Sequence, residues 1–151
     1  MHVVVIGRGQ WIVYAICTDE ETCPLLDFVA GLDEKRGNRV LADLVQYVPI
    51  STPTDWTRTD FSWALRGCDS ILEFRWPTKH GGTPRVLWFY DKNQTVVCSH
   101  GLNKKGQLSR QDIQPAERAR ANYLRAKERK EITVVELRNF DPTDEEDGER
   151  E

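Results

Sequence analysis

Long apolar runs are absent from this 151-residue chain; the longest, around Val3-Val4-Val5-Ile6 and residues 11–16, fall far short of the ~20 residues that cross a bilayer. No membrane association is therefore expected. The N-terminus, MHVVVIGRGQ, lacks a charged start followed by a signal-length apolar stretch, which predicts no export and a cytoplasmic location. Cysteines are few and form no CxxC pair. Cys17, Cys23, Cys68 and Cys98 read as reduced, small hydrophobic side chains rather than disulfides or zinc ligands. Cys98 and His100 lie two apart with no second pair to complete a tetrahedral site, so neither a metal nor a cofactor is expected. Internal repeats are missing, and so are the RNP sequences of a plain RNA-binding module.

The length predicts one domain with enough chain to bury a core. The formal net charge of −3 conceals a strong asymmetry. Residues 66–130 hold 14 Lys and Arg against 6 Asp and Glu, whereas residues 141–151 hold one Arg against 7 acidic residues. A basic middle of this kind points to a polyanionic partner. The acidic end has no apolar residue to bury and reads as a disordered tail.

The basic part opens with three successive strand-like stretches, 70–76, 84–91 and 95–102, rich in β-branched and aromatic residues. Lys92-Asn93-Gln94 between the last two is hairpin-sized, so these strands should pair antiparallel. Alternation puts Ile71, Glu73 and Arg75 on one face of the first strand, and Arg85, Leu87 and Phe89 on one face of the second. Charges inside apolar strands are costly unless they line an open face, so Glu73, Arg75 and Arg85 are expected to mark one exposed surface. Alternation also groups His100 with Val96, Cys98 and Leu102.

Residues 10–16 read as another strand; residues 1–9 either extend it or lie upstream. Thr22 is the expected cap of a first helix that starts near Pro24 and ends at Gly31. Asp33 should cap a second, whose Val40, Leu41, Leu44, Val45 and Val48 make an apolar stripe until Pro49 stops it. Residues 51–68 read as a connecting loop packed through Trp56, Phe61 and Trp63. Residues 110–130 should form a helix with Ile113, Ala116, Ala119, Tyr123 and Ala126 inward, and residues 132–137 a possible edge strand. The expected architecture is α+β: a small antiparallel sheet with an N-terminal helical hairpin and a C-terminal helix, all helices on one side.

Several motifs in order then resemble a known family. Leu65-Arg66-Gly67 leads into Leu72-Glu73-Phe74-Arg75; Arg85-Val86-Leu87-Trp88-Phe89 follows, then Ser99-His100-Gly101-Leu102-Asn103-Lys104-Lys105 and a helix opening on Asp112-Ile113. This pattern resembles the RelE/ParE toxin superfamily, in its HigB-like, phage-derived branch. It departs from the family at Leu102, where Phe is usual, and in the longer stretches 51–63 and 77–83. The resemblance implies a RelE-like toxin domain over residues 1–130, with 131–151 as an extension. It also implies the toxin of a type II toxin–antitoxin pair, an mRNA endoribonuclease acting on messages held in the ribosome. Its implied partners are mRNA, the ribosome and a cognate antitoxin, often of helix-turn-helix type.

RNA cleavage without a metal needs a group to take the 2′-OH proton, positive charge on the phosphorane and a proton for the leaving oxygen. Arg75 and Arg85 fit the phosphate as forked donors, the alternative being a salt bridge to Glu73. Glu73 is either the base or the group that orients Arg75. His100 is the titratable acid–base candidate, or else a structural, hydrogen-bonded histidine. Lys104 is placed in the catalytic set and Lys105 on backbone phosphate, unless both are merely solvated. Tyr90 and Trp88 could stack on a base, with core packing as the alternative; His80 is a lesser candidate. Arg118, Arg120 and Arg125 on the C-terminal helix would contact RNA, or simply face solvent. Two non-catalytic readings remain beside cleavage: a toxin that binds a protein target such as DNA gyrase, and a module that only binds antitoxin or RNA.

Overall fold

The two apolar runs of the first sixteen residues fold into a hairpin in the computed structural model, which describes residues 1–140. Strand β1 (His2–Arg8) pairs antiparallel with β2 (Ile12–Ile16), in the register Val3 opposite Ile16. Residues 1–9 therefore form a strand of their own. Helix α1 (Pro24–Gly31) follows, with proline in its first turn. Its cap is Cys23, not the expected Thr22, and no side chain bonds it. Thr22 instead uses its carbonyl to accept the Thr18 amide at 2.9 Å, closing the loop before the helix.

Asp33 caps helix α2 (Glu34–Ala42), accepting the Arg36 amide, as its sequence position predicts. The apolar stripe then continues through a wide π turn at Asp43–Tyr47 and a short 3₁₀ turn at Val48–Ile50. Val40, Leu44 and Val48 are all fully buried.

Residues 51–68 are not a loop. They contain helix α3 (Pro53–Arg58) and strand β3 (Ser62–Leu65). A complete capping box starts α3: Thr52 bonds the Asp55 amide, and the Asp55 carboxylate returns to the Thr52 amide. Trp56 then anchors the segment. Its ring is fully buried and its indole N–H donates to the Ser51 hydroxyl at 2.6 Å. Polar residues around that anchor make the stretch read as a loop, while its capping signal lies in Thr52-Pro53-Thr54-Asp55.

Strands β4 (Cys68–Arg75), β5 (Thr83–Asp91) and β6 (Thr95–Lys104) form the expected meander, joined by the tight turn at 92–94. Helix α4 (Arg110–Glu128) follows, and β7 (Thr133–Glu136) ends the sheet. The strand order is β3-β4-β5-β6-β2-β1-β7.

The sheet is mixed, not wholly antiparallel, because β2 runs parallel to β6 and β1 parallel to β7. The cause is connectivity. The chain leaves β2, crosses one face through α1–α3, enters at the far edge as β3, and returns by hairpins until β6 meets β2. Helices also cover both faces rather than one. Leu25, Val40 and Trp56 join a core with Val13, Phe74, Trp88 and Cys98 on one side. Ile113, Ala116 and Tyr123 of α4 join a second core with Ile71, Leu87 and Phe89 on the other. Apolar residues on both faces of β4 and β5 are the cause, since each face needs its own cover.

Residue 130 is not a break in this architecture. β7 bonds β1 from His2–Thr133 to Val5–Glu136, and Phe140 is buried against the first core. The acidic stretch 141–151 lies outside the described residues. Among the described residues, no helix is long and apolar enough to cross a membrane.

Candidate functional site

Strand pleating brings three charged side chains to the α4 face of the sheet. Glu73 and Arg75 share the side of Ile71, and Arg75 is paired directly across the ladder with Arg85. On the edge strand, Trp63 is paired with Glu73 and so shares that face. The start of α4 and the chain at 106–108 roof these residues incompletely. They leave a hollow of about 510 Å³ lined by Trp63, Arg66, Glu73, Arg75, Arg85 and Leu108, among others.

The expected open surface is thus a partly roofed hollow. Glu73 is fully buried on its floor, the Arg85 side chain is 6% exposed, and only Arg75, at 29%, reaches its mouth. Arg75 contacts Glu73 Oε1 through Nη2 at 2.5 Å and Nε at 2.6 Å. Arg85 approaches the second oxygen at 3.5 Å and donates to the Gly106 carbonyl. That leaves Arg85 Nε and Glu73 Oε2 without a hydrogen-bond partner although both are buried. Buried polar atoms are nearly always paired, so unspent capacity here marks a place able to accept a ligand. The charge balance has the same sense: two guanidinium groups share one carboxylate, and Arg66 adds a third cation at the rim.

His100 reaches the same face by a device invisible to simple alternation. A β-bulge at Ser99 sets Cys98 opposite Trp88 but His100 opposite Leu87. His100 therefore parts from Val96 and Cys98, contrary to the grouping expected from period-two alternation, while Leu102, opposite Arg85, stays with it. Both ring nitrogens are engaged: Nδ1 with the Ser99 hydroxyl at 2.9 Å, and Nε2 with the Asp112 carbonyl at 3.2 Å. Burial holds its pKa below the ordinary histidine value, and the ring is not part of the hollow's lining.

Lys104 contacts the Asp112 carboxylate at 2.5 Å, where that carboxylate also closes the Ser109 capping box of α4. The Lys104 ammonium and the Ser109 amide hold the Asp112 carboxyl down at about 2. Lys105 is exposed just beyond the strand. Tyr90 lies on the opposite face, 5.9 Å from the Trp11 ring and 4.6 Å from that of Trp88, which is itself fully buried in the first core. Arg118 and Arg125 are exposed on α4, Arg120 is half-buried, and none of the three lines the hollow. His80 is exposed in the loop before β5.

The structure thus brings together Glu73, Arg75 and Arg85, sets His100 and Lys104 against the first turn of α4, and separates Tyr90 from both. It adds Trp63 and Arg66, from the stretch expected to be a connecting loop and its end, and the Gly106 carbonyl, from the turn after β6. The strand-like Ser62-Trp63-Ala64-Leu65 before the Arg66-Gly67 turn was the available signal. All four cysteines are free and buried, and burial pushes the Cys98 thiol upward. Among the described residues, no group of three or more His, Cys, Asp or Glu is arranged to hold a metal ion.

Comparison with known proteins finds one family model, described as "Phage derived protein Gp49-like (DUF891)", matching residues 27–124. That span runs from α1 to α4 and contains every residue of the hollow. Neither the curated proteins nor the solved structures yield a match.

Proposed function

This chain belongs to the phage-derived Gp49-like family, a RelE-like toxin family associated with toxin–antitoxin systems, and on that premise we propose that its hollow binds and cleaves RNA. Under this proposal the α+β fold is a RelE-like scaffold of the HigB-like branch. The antitoxin is the partner that the family implies; one carrying a helix-turn-helix, and messages held in the ribosome as the target, belong to the proposal.

The observation that carries the reading is the Arg75–Arg85 pair over one buried carboxylate. It is a preformed excess of positive charge in a half-closed hollow, with donor capacity unspent. Such a site suits a phosphodiester whose negative charge grows in the transition state. In the proposed reaction the ribose 2′-oxygen forms a bond to phosphorus and gives up its proton to solvent water, while the bond to the 5′-oxygen breaks and that oxygen takes a proton from water. The products are a 2′,3′-cyclic phosphate and a 5′-hydroxyl.

Arg85, held by Gly106 and Glu73, would receive the phosphate from the floor, and Arg75 would close on it from the mouth. Glu73 acts as a positioning residue for both arginines. His100 and Lys104 fix the first turn of α4, and so the hollow's roof, rather than touching the phosphate. Rate enhancement then rests on charge stabilisation of the phosphorane more than on one strong base. Lys105, Arg118, Arg120 and Arg125 would add backbone phosphate contacts outside the hollow.

The test uses the purified protein with single-stranded RNA in EDTA, beside Arg75→Ala and Arg85→Ala, and maps transcript 5′ ends after induction in cells. Cyclic-phosphate products that fall at least ~100-fold in both variants support the proposal. Arrested growth with intact messages and a DNA-damage response would replace it with a gyrase-directed toxin.

A further inference from the structure

Four of the five tryptophans serve the first core: Trp56, Trp76 and Trp88 are buried in it and Trp11 packs against it. Trp63 belongs to neither core. It is 38% exposed on β3, the edge strand of the sheet, at the rim of the hollow. A large aromatic left in solvent forgoes most of the stabilisation that burial offers it.

Its orientation is nevertheless fixed. The indole N–H donates to the Asp60 carbonyl at 2.8 Å, and Asp60 adopts a left-handed φ of 57° at the turn that delivers it. The ring sits cross-strand from Glu73, and the Arg75 guanidinium lies 4.1 Å from its centroid. A flat, pinned π surface thus adjoins the cation proposed to take the phosphate. Glu73 Oε1 takes the Nε and Nη2 edge of that guanidinium, and stacking on the indole leaves its Nη1 N–H groups clear of the ring for a phosphate.

We propose that Trp63 is the base-stacking residue of this site: it receives a nucleobase of single-stranded RNA next to the phosphate held by Arg75. The proposal rests on the RNA reading above and deepens it by naming the group that binds the nucleoside side of the substrate. Base–aromatic stacking tolerates any sequence, because every base has a π face, so Trp63 supplies affinity and registers the phosphate without choosing the base.

The experiment measures binding of a short oligoribonucleotide made uncleavable by one 2′-deoxy unit, by tryptophan fluorescence and by titration, with thermal melts confirming that each variant folds. The wild type should bind with quenching. Trp63→Leu should bind roughly 10- to 100-fold more weakly with the quench lost, and Trp63→Phe should retain most of the affinity. Replacing the base beside the deoxy unit with an abasic site should cost the wild type a similar factor and cost Trp63→Leu almost nothing more. Unchanged affinity in Trp63→Leu, with Arg75→Ala weakened, would overturn the stacking role and leave the RNA reading standing. A wild type that binds no RNA would overturn that reading itself.

Discussion

Arg75 and Arg85 stand directly opposite one another across the β4–β5 ladder, two like charges in a position where cross-strand neighbours normally attract. Glu73, two residues before Arg75 on the same face and fully buried, offsets this repulsion, and the Gly106 carbonyl takes an Arg85 N–H. The carboxylate touches both guanidinium groups yet balances only one of them. Its removal would leave two facing cations in a poorly hydrated hollow.

Glu73→Gln should therefore destabilise the fold by about 3 kcal/mol, the scale for breaking a buried ion pair by deleting one partner. Adding Arg75→Gln should recover part of that loss, because it removes the repulsion. Urea unfolding of the two variants beside the wild type measures both effects. Equal stability in Glu73→Gln and the wild type would show that the arginines do not depend on the carboxylate.

Burial lowers the pKa of His100 below its ordinary value of 6.5, so the unfolded chain takes up a proton more readily than the folded one. Stability from this group is thus complete above pH 6.5 and declines as the pH falls from there towards the depressed folded value. Since Nε2 meets the Asp112 carbonyl, the loss should fall on the seating of α4. Unfolding midpoints measured from pH 7.5 to 5 should decline in the wild type and lie flatter in His100→Gln over the same range.

Gly101 lets α1 rest on β6: a Cβ built there would lie 2.1 Å from Phe28 Cδ2. Gly101→Ala should cost roughly 1–3 kcal/mol by overpacking, and Phe28→Leu in the same chain should return some of it. Thermal unfolding of the single and double variants tests this. A Gly101→Ala protein as stable as the wild type would mean that Phe28 moves aside freely.

Much of this architecture is legible in local chemistry. Only the β4–β5 register brings Arg85 beside Arg75, but Asp33 announces the start of α2, and alternation sets Glu73 and Arg75 on one face of β4 without reference to any partner. Those signals survive because they depend on residues two to four positions apart. The segment from Thr52 to Leu65 hides its helix and strand because both are short, and Trp56 buries itself only against strands that come later in the chain.

Sequence alone determined which side chains could be charged, capped or apolar, and how the residues within β4 and within β5 divide between two faces. Tertiary structure decided that β2 would meet β6 in parallel, that a bulge at Ser99 would turn His100 towards α4, and that Trp63 would stand beside Arg75. These depend on contacts between residues far apart in the chain, whose energies exist only once the sheet has closed its order, and no local pattern encodes them.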